Sequence, residues 1–328
     1  MDPTSRLTEL AQGYRQAIVL LTACKLGIFA ALGRDRRTAD QLAGQLKLDA
    51  RALETTLLAL AAEGILQYQE STFRIAAPYR EILLPAGERS QSSIFNHNYN
   101  CLQRWCRLGE VLRTGQCVPE PADESDGDSL RDFICGMAEI SRGASREVLE
   151  EVDFSPFRRM LDLGGGPATA ALEFARQYPQ LRCVVFDLPD ALAIAREEIS
   201  RYGLTDRVQT RPGDYYQDEF GEGFDLVYIS NIIHSMSPAD TAMIARKTRQ
   251  ALLPGGTVMI KEFFLDDDRT TPATAAYFSI NMLVATEGGK SYTLRETREI
   301  LQKTGFRDFQ TVELSAASRL LIARKDGE

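Results

Sequence analysis

Three short stretches hold the residues most able to do chemistry. The first is Asp162-Leu163-Gly164-Gly165-Gly166, glycines at the end of a short apolar segment that begins at Met160. Glycine there lets the backbone turn tightly and approach a ligand. Asp187 stands about twenty residues further on, at the carboxyl end of the apolar run Cys183–Phe186, the place from which an acid grips a pair of ribose hydroxyls. The second stretch closes on His234, one of two histidines in the chain, just after the apolar run Leu226–Ile229. Open parallel sheets keep their active sites at that end of their strands. The third closes on Glu262, which follows the run Val258–Lys261. An imidazole that is to accept a proton at one nitrogen needs the other held, and a carboxylate can hold it.

The glycine turn admits two nucleotide readings. A dinucleotide fingerprint, G-x-G-x-x-G, needs its third glycine at 169, where the chain has Thr169. The D-x-G-x-G loop of methyltransferases that bind S-adenosylmethionine is matched from Asp162 to Gly166. After the loop, Pro167 suits the first position of a helix. Apolar residues then recur at helical spacing from Ala168 through Ala175, until Tyr178-Pro179 breaks the pattern.

Placing these groups together takes a sheet, and from 151 onward strands and helices alternate. Val208–Thr210 precedes Gly213-Asp214, Phe224–Ser230 is a further apolar strand, and a helix from Thr241 stops before Pro254-Gly255-Gly256. The pattern predicts a parallel sheet with helices on both faces. Phe306–Leu314 and Arg319–Arg324, joined by the link Ser315–Ser318, predict an antiparallel hairpin at its end. A methyltransferase sheet finishes in this way, whereas a dinucleotide domain continues with crossovers.

The amino-terminal part reads differently. Amphipathic helices over 6–32 precede a helix capped at Thr38 and another capped at Asp49, which runs through Glu63 to Gly64. Strands over 65–68 and 72–75 around a Gln69–Ser71 turn complete a winged-helix arrangement. That shape serves DNA binding elsewhere, but the helix after Asp49 carries Glu54 and Glu63 against a lone Arg51, an acidic face that repels phosphate. Residues 91–150 read as helices joined by the acidic run Pro119–Asp128, a solvated loop.

With 328 residues, 44% hydrophobic and 26% charged, the chain has room for two domains of an ordinary globular protein. A net charge of −8 argues against a nucleic-acid or anionic-membrane partner. The longest apolar stretch, Ala17–Leu32, is interrupted by Lys25 and short for a bilayer span, and the amino terminus has no basic-then-apolar pattern, so the expected compartment is the cytoplasm. Six cysteines include no C-x-x-C pair. Four of them fall between 101 and 135 without ligand spacing, so buried thiols are expected rather than a metal cluster or a disulfide framework.

On these segments the chain resembles the S-adenosylmethionine-dependent O-methyltransferases of the plant caffeate and acetylserotonin type, with their bacterial relatives in secondary metabolism. The resemblance covers nearly the whole chain. It is carried by Leu161–Gly166, Phe186-Asp187-Leu188-Pro189, Gly213-Asp214-Tyr215-Tyr216, the stretch from Asn231 to Gly256, and Gly288-Gly289-Lys290. It implies an α/β fold, a Rossmann-like methyltransferase sheet with an antiparallel terminal hairpin, preceded by a mainly α winged-helix domain that dimerises. The corresponding domains are 1–95, a helical connector over 96–150 containing Phe133-x-x-x-Met137, and a catalytic domain over 151–328.

The resemblance also implies roles. Asp162, Gly164 and Gly166 would cradle S-adenosylmethionine, Asp187 would take its ribose and Asp214 its adenine, with Leu188, Tyr215 and Ser230 completing the set. S-adenosylhomocysteine would be the product, and no metal is expected. His234 would be the general base for the acceptor hydroxyl and Glu262 its orienting acid, while Phe133, Met137, Phe278 and Met282 would line the acceptor pocket. The chain departs from the family pattern at several places: Ser235-Met236 replace Asp-Trp, Ser291 replaces an acid, and Ser230 replaces a lysine. Ala168 replaces the last glycine of the loop. The expected reaction is methyl transfer to a hydroxyl of a small, largely apolar, aromatic acceptor in a homodimer. N- or C-methylation on the same scaffold is the alternative, and a non-enzymatic winged-helix regulator is the rival of another class.

Overall fold

The computed structural model describes residues 2–85, 87, 89–119, 127–314 and 318–327, with the backbone alone over 127–132. Most of the acidic run Pro119–Asp128 and of the link Ser315–Ser318 lies outside the described residues. The chain divides into two compact units. One reaches to Gln103 and includes the stretch that ends at Glu139; the other starts at Arg104 and resumes at Ile140. The helix Gly127–Glu151 contributes to both.

In the first unit the apolar faces of helices Tyr14–Lys25, Ile28–Leu32, Ala39–Leu46 and Ala50–Ala62 meet around Phe29, Leu32, Leu42, Leu57 and Phe73. Thr38 and Gln41 cap each other's backbone reciprocally, and Asp49 accepts from the Ala52 N–H at 2.8 Å, which fixes where two of these helices begin. Strands β1 (Leu66–Gln69) and β2 (Thr72–Ile75) form an antiparallel hairpin. Its turn is tighter than the expected three residues. Gln69 pairs with Thr72, so only Glu70 and Ser71 reverse the chain, at φ 49° and 58°. That is the two-residue form whose backbone matches the twist of the flanking strands.

The second unit is built on seven strands: β3 (Arg159–Leu163), β4 (Arg182–Asp187), β5 (Val208–Pro212), β6 (Phe224–Ser230), β7 (Leu252–Glu262), β8 (Phe306–Glu313) and β9 (Arg319–Lys325). Their order is β5-β4-β3-β6-β7-β9-β8. Pairing is parallel from β5 to β7, and β9 runs antiparallel to both β7 and β8. The expected terminal hairpin is therefore present, with its second strand inserted between β7 and the first. Alternate residues feed opposite faces: Met160, Val185, Leu226 and Tyr228 pack under helices Thr169–Gln177 and Pro189–Arg201, while Leu161, Phe186, Val227 and Ile260 pack under Pro238–Ala251 and Leu294–Lys303. Burial on both sides is why these strands read as unbroken apolar runs.

The helix after the glycine turn begins at Thr169 rather than at Pro167. Pro167 lies in the turn, and Ala168 precedes the helix in the left-handed region at φ 66°. The chain winds outward from β3 through β4 to β5 and then returns to β6 on the other side of β3. A crevice opens at such a switch point, outside the carboxyl ends of the strands.

Candidate active site

At that switch point the chain leaves β3 through the glycines. Gly164 takes φ 67°, its N–H donates to the Phe186 carbonyl at 2.8 Å, and a side chain on it would strike Ile232 beyond β6. Gly166 takes φ 51°, with open space where a side chain would begin. Its N–H donates to Asp187 Oδ2 at 2.7 Å, and the Leu188 N–H donates to Asp187 Oδ1 at 2.7 Å. Asp187 thus ties the turn to the end of β4, and each oxygen keeps a lone pair for a further donor. Burial raises the pKa of this carboxyl, and the two N–H bonds pull it back.

Asp162 lies beneath the turn, 2% exposed, and its Oδ2 has no hydrogen-bond partner among the described residues. Burial pushes its carboxyl up to about 7. The Gly213 N–H donates to the Asp187 carbonyl at 3.0 Å and brings the next loop alongside. There Asp214 accepts from the Tyr216 N–H at 2.8 Å and from Gln217 Nε2 at 2.9 Å. Lys247 Nζ clamps the same loop through the carbonyls of Tyr215, Tyr216 and Asp218, each at 3.1 Å. The Tyr215 hydroxyl is pushed up to about 12 by burial. Leu188 is exposed beside Asp187, and Ser230 ends β6 in register with Lys261. An open glycine face, spare carboxylate lone pairs on Asp187 and an orphaned buried acid fit a nucleoside that carries a charged tail.

On the other side of the crevice β6 gives way to Asn231, at φ 56°, and then to the short 3₁₀ turn Ile233–Ser235. His234 Nδ1 lies 2.7 Å from Glu262 Oε2, and the His234 backbone N–H donates to Glu262 Oε1 at 3.4 Å. The Glu262 side chain is 3% exposed and that of His234 14%. An ionised carboxylate only accepts, so this pairing sets the ring proton on Nδ1 and leaves Nε2 as the acceptor. The His234 ring stands edge-on to Phe278, with centroids 4.8 Å apart, and Phe278 packs in turn on Phe263 at 4.9 Å. The Lys290 N–H donates to the His234 carbonyl at 2.8 Å, which braces the turn from the Gly288-Gly289 side.

The structure brings the glycine turn, Asp187 and Asp214 together and joins His234 to Glu262 and Phe278. Met282 is buried one turn beyond Phe278 on helix Ala273–Ala285. Phe133 and Met137 belong to the first unit, where Phe133 packs on the His97 ring at 5.1 Å and Met137 is half-buried. Ser291, where the resemblance implies an acid, is buried and holds a helix in place: its hydroxyl donates to the Ala275 carbonyl at 2.8 Å. Met236 is core, with its carbonyl accepting from the Tyr292 hydroxyl at 2.8 Å. Asn231, Lys261 and Phe263 also stand at the site, and only Asn231 falls in a stretch that carries the resemblance. A lysine inside the apolar run Val258–Phe263 is the one signal in the sequence that points to the other two.

A parallel sheet with a reversed last hairpin, a glycine turn and a ribose-type acid at its switch point define the S-adenosylmethionine-dependent methyltransferase class. Residues 120–307 match the model of the O-methyltransferase domain and residues 8–80 that of the O-methyltransferase dimerisation domain. The chain belongs to the O-methyltransferase family, and it is an enzyme of that family that draws its methyl group from S-adenosylmethionine. It is similar to the 3-hydroxy-5-methyl-1-naphthoate 3-O-methyltransferase of Streptomyces sahachiroi, 32% identical over 94% of this chain and 91% of the relative. Human acetylserotonin O-methyltransferase is 29% identical over 97% of each chain. A crystal structure of human N-acetylserotonin methyltransferase in complex with S-adenosylmethionine superposes with a TM-score of 0.86 at 26% identity, covering 99% of both chains. Among the described residues no cluster of side chains could hold a metal ion, and no helix is long and apolar enough to cross a membrane.

Proposed function

We propose that the enzyme methylates a hydroxyl of a small aromatic acceptor, with His234 as general base and Glu262 as the acid that orients it. The 2.7 Å contact between His234 Nδ1 and Glu262 Oε2 carries this reading, because a carboxylate accepting from Nδ1–H favours the tautomer whose Nε2 can accept a proton. S-adenosylmethionine, when bound, supplies a methyl made electrophilic by a positive sulfur. Gly164, Gly166 and Asp187 with Leu188 would hold its nucleoside, Asp214 and Tyr215 the adenine side, and Asp162 and Ser230 the region toward β6.

A phenol loses its proton near pKa 10 and an imidazolium near 6.5, so full transfer between such groups costs about 5 kcal/mol. Partial transfer to Nε2 as the methyl moves, with Glu262 stabilising the developing imidazolium, lowers that figure. Phe278 and Phe263 present a wall of rings beside His234, suited to a flat apolar acceptor and to the exclusion of water. The acceptors in the relatives' names, a hydroxynaphthoate and acetylserotonin, are aromatic and support the same class.

The working unit we propose is a homodimer formed through the 1–95 domain, with 96–150 as connector and 151–328 as catalytic domain. Helix Pro3–Gln12 buries none of its side chains, and Leu7, Leu10, Tyr14 and Ile18 form an exposed apolar stripe at helical spacing. The proposed compartment is the cytoplasm, whose reducing conditions suit six cysteines that form no disulfide among the described residues.

The test is His234→Ala assayed by release of S-adenosylhomocysteine with a panel of phenolic acceptors. The expected fall in kcat is roughly 10²- to 10⁴-fold, with affinity for S-adenosylhomocysteine unchanged. An unaltered rate would overturn the general-base role.

A further inference from the structure

We propose that Lys261 is a carboxylate-binding residue of the active site: its buried ammonium, at the end of β7 beside Asn231 and Phe263, takes the carboxylate of a bound ligand. Resting on the methyltransferase reading above, the proposal allows that carboxylate two sources, the amino-acid tail of the methyl donor or an acid group on the aromatic acceptor.

Lys261 is 1% exposed, on a strand whose neighbouring residues Val258, Met259 and Ile260 are all core. An ammonium has three donors. Among the described residues Lys261 Nζ makes one hydrogen bond, to Asn231 Oδ1 at 3.2 Å, lies 4.8 Å from the centre of the Phe263 ring, and enters no ion pair. A buried charge left in this state is strongly destabilising, and buried charges are ordinarily paired. Burial accordingly lowers the pKa of the amine, opposed at longer range by Glu262 and Glu147. Glu262 is not the missing partner, since His234 engages both of its oxygens.

The neighbours place this ammonium at the chemistry. Asn231, which it holds, is the left-handed residue between β6 and the His234 turn, and the Asn231 N–H donates back to the Lys261 carbonyl at 2.9 Å. Phe263, against which it lies, belongs to the ring series that ends on His234. The acids named around the crevice, Asp187, Asp214 and Glu262, offer a carboxylate no donor. Two further lysines near it are engaged elsewhere, Lys247 with loop carbonyls and Lys290 with Glu296. Among the lysines at the crevice, Lys261 is the one left to pair with a ligand carboxylate.

Calorimetric titration of the full chain with four probes tests this: S-adenosylhomocysteine, its decarboxylated analogue, a hydroxynaphthoate and the matching carboxamide, the last two with S-adenosylhomocysteine present. Lys261→Met should weaken one carboxylate-bearing probe by roughly tenfold or more, the scale of a charge-assisted hydrogen bond, and leave its neutral counterpart unchanged. Loss with S-adenosylhomocysteine assigns the donor tail, and loss with the hydroxynaphthoate alone assigns the acceptor. Lys261→Arg should restore the preference for the acid. Equal binding of every probe by wild type and Lys261→Met overturns the proposal, as does equal weakening of acid and neutral forms, which marks a structural role. Wild type that fails to bind S-adenosylhomocysteine would instead count against the cofactor site itself. Lys261→Met should melt no lower than wild type, since an apolar chain replaces an unpaired buried charge.

Discussion

The two sides of the crevice are held by different kinds of bond. On the donor side the links run through the main chain: Gly164 N–H to the Phe186 carbonyl, Gly166 and Leu188 N–H to Asp187, Gly213 N–H to the Asp187 carbonyl. On the acceptor side, side-chain pairs join the main-chain links: His234 to Glu262, Phe278 to Phe263, Lys261 to Asn231. Main-chain links tolerate change at most neighbouring positions but demand glycine and one acid at fixed places. Side-chain links depend on the residue types at both of their ends. The resemblance read from the sequence rests on both sides, on the glycine loop and Asp187 at one and on His234 and Glu262 at the other.

The sharpest way to break the acceptor side is Glu262→Gln. Glu262 receives two donors, the ring N–H and the backbone N–H of His234. An amide has one oxygen, so its NH₂ must face one of them. Facing the ring, it forces the proton to Nε2 and abolishes the base; facing the backbone, it pushes the turn out of place. The expected loss in kcat is roughly 10²- to 10⁴-fold with little change in affinity for S-adenosylhomocysteine, measured by product release and calorimetry. Retention of more than half the rate would show that Glu262 does not set the tautomer.

On the donor side the corresponding change, Asp162→Asn, should show in stability. The folded chain keeps the Asp162 proton up to about pH 7 because burial opposes the charge, whereas an unfolded aspartate releases it near 3.9. Between those values the folded state binds more protons, so stability falls as pH rises through the window and the deficit is complete above it. A neutral side chain of the same shape removes the deficit. Asp162→Asn should therefore match wild type at pH 4 and exceed it at pH 8 by up to about 4 kcal/mol, read from denaturant titrations without cofactor. Parallel curves at the two pH values would mean that Asp162 ionises freely in the fold.

Ser291→Asp introduces the acid that the resemblance implies after Gly288-Gly289-Lys290. In this chain the Ser291 hydroxyl donates to the Ala275 carbonyl, and a carboxylate has no proton to give. The substitution should destabilise the protein by about 2–3 kcal/mol and bring no gain in rate. A faster enzyme would mean that the helix Ala273–Ala285 can shift to admit the acid.

The legibility of the sequence follows the same division. Alternating runs and turn residues foretold the seven-stranded sheet and its reversed hairpin, because burial on both faces forces apolar strands. The glycine loop and Asp187 were legible because φ 67° and 51° at Gly164 and Gly166 leave few other residue types. Pairing across distance was legible only where the resemblance implied it, for His234 and Glu262, which the structure joins at 2.7 Å. Nothing in the order of residues brings Lys261 onto Asn231 or lays Phe263 against Phe278, since those contacts depend on how β6, β7 and a later helix pack. The start of the helix at Thr169 was hidden for a related reason, because Pro167 satisfies a helix start and a turn equally well.

Ala168 gives the finest test of whether the donor side owes its shape to the backbone alone. It adopts φ 66°, which is unfavourable for alanine by roughly 1 kcal/mol relative to glycine. Its methyl is fully buried in the core beneath the turn, worth about 0.8 kcal/mol. Glycine would also loosen the unfolded chain, by about 0.4–1 kcal/mol. These contributions nearly cancel. Ala168→Gly should change stability by less than about 1 kcal/mol and leave affinity for S-adenosylhomocysteine as it was, because the Gly166–Asp187 bond does not involve the side chain. A loss above about 2 kcal/mol in denaturant titration would show that packing of this methyl, rather than main-chain bonding, holds the turn.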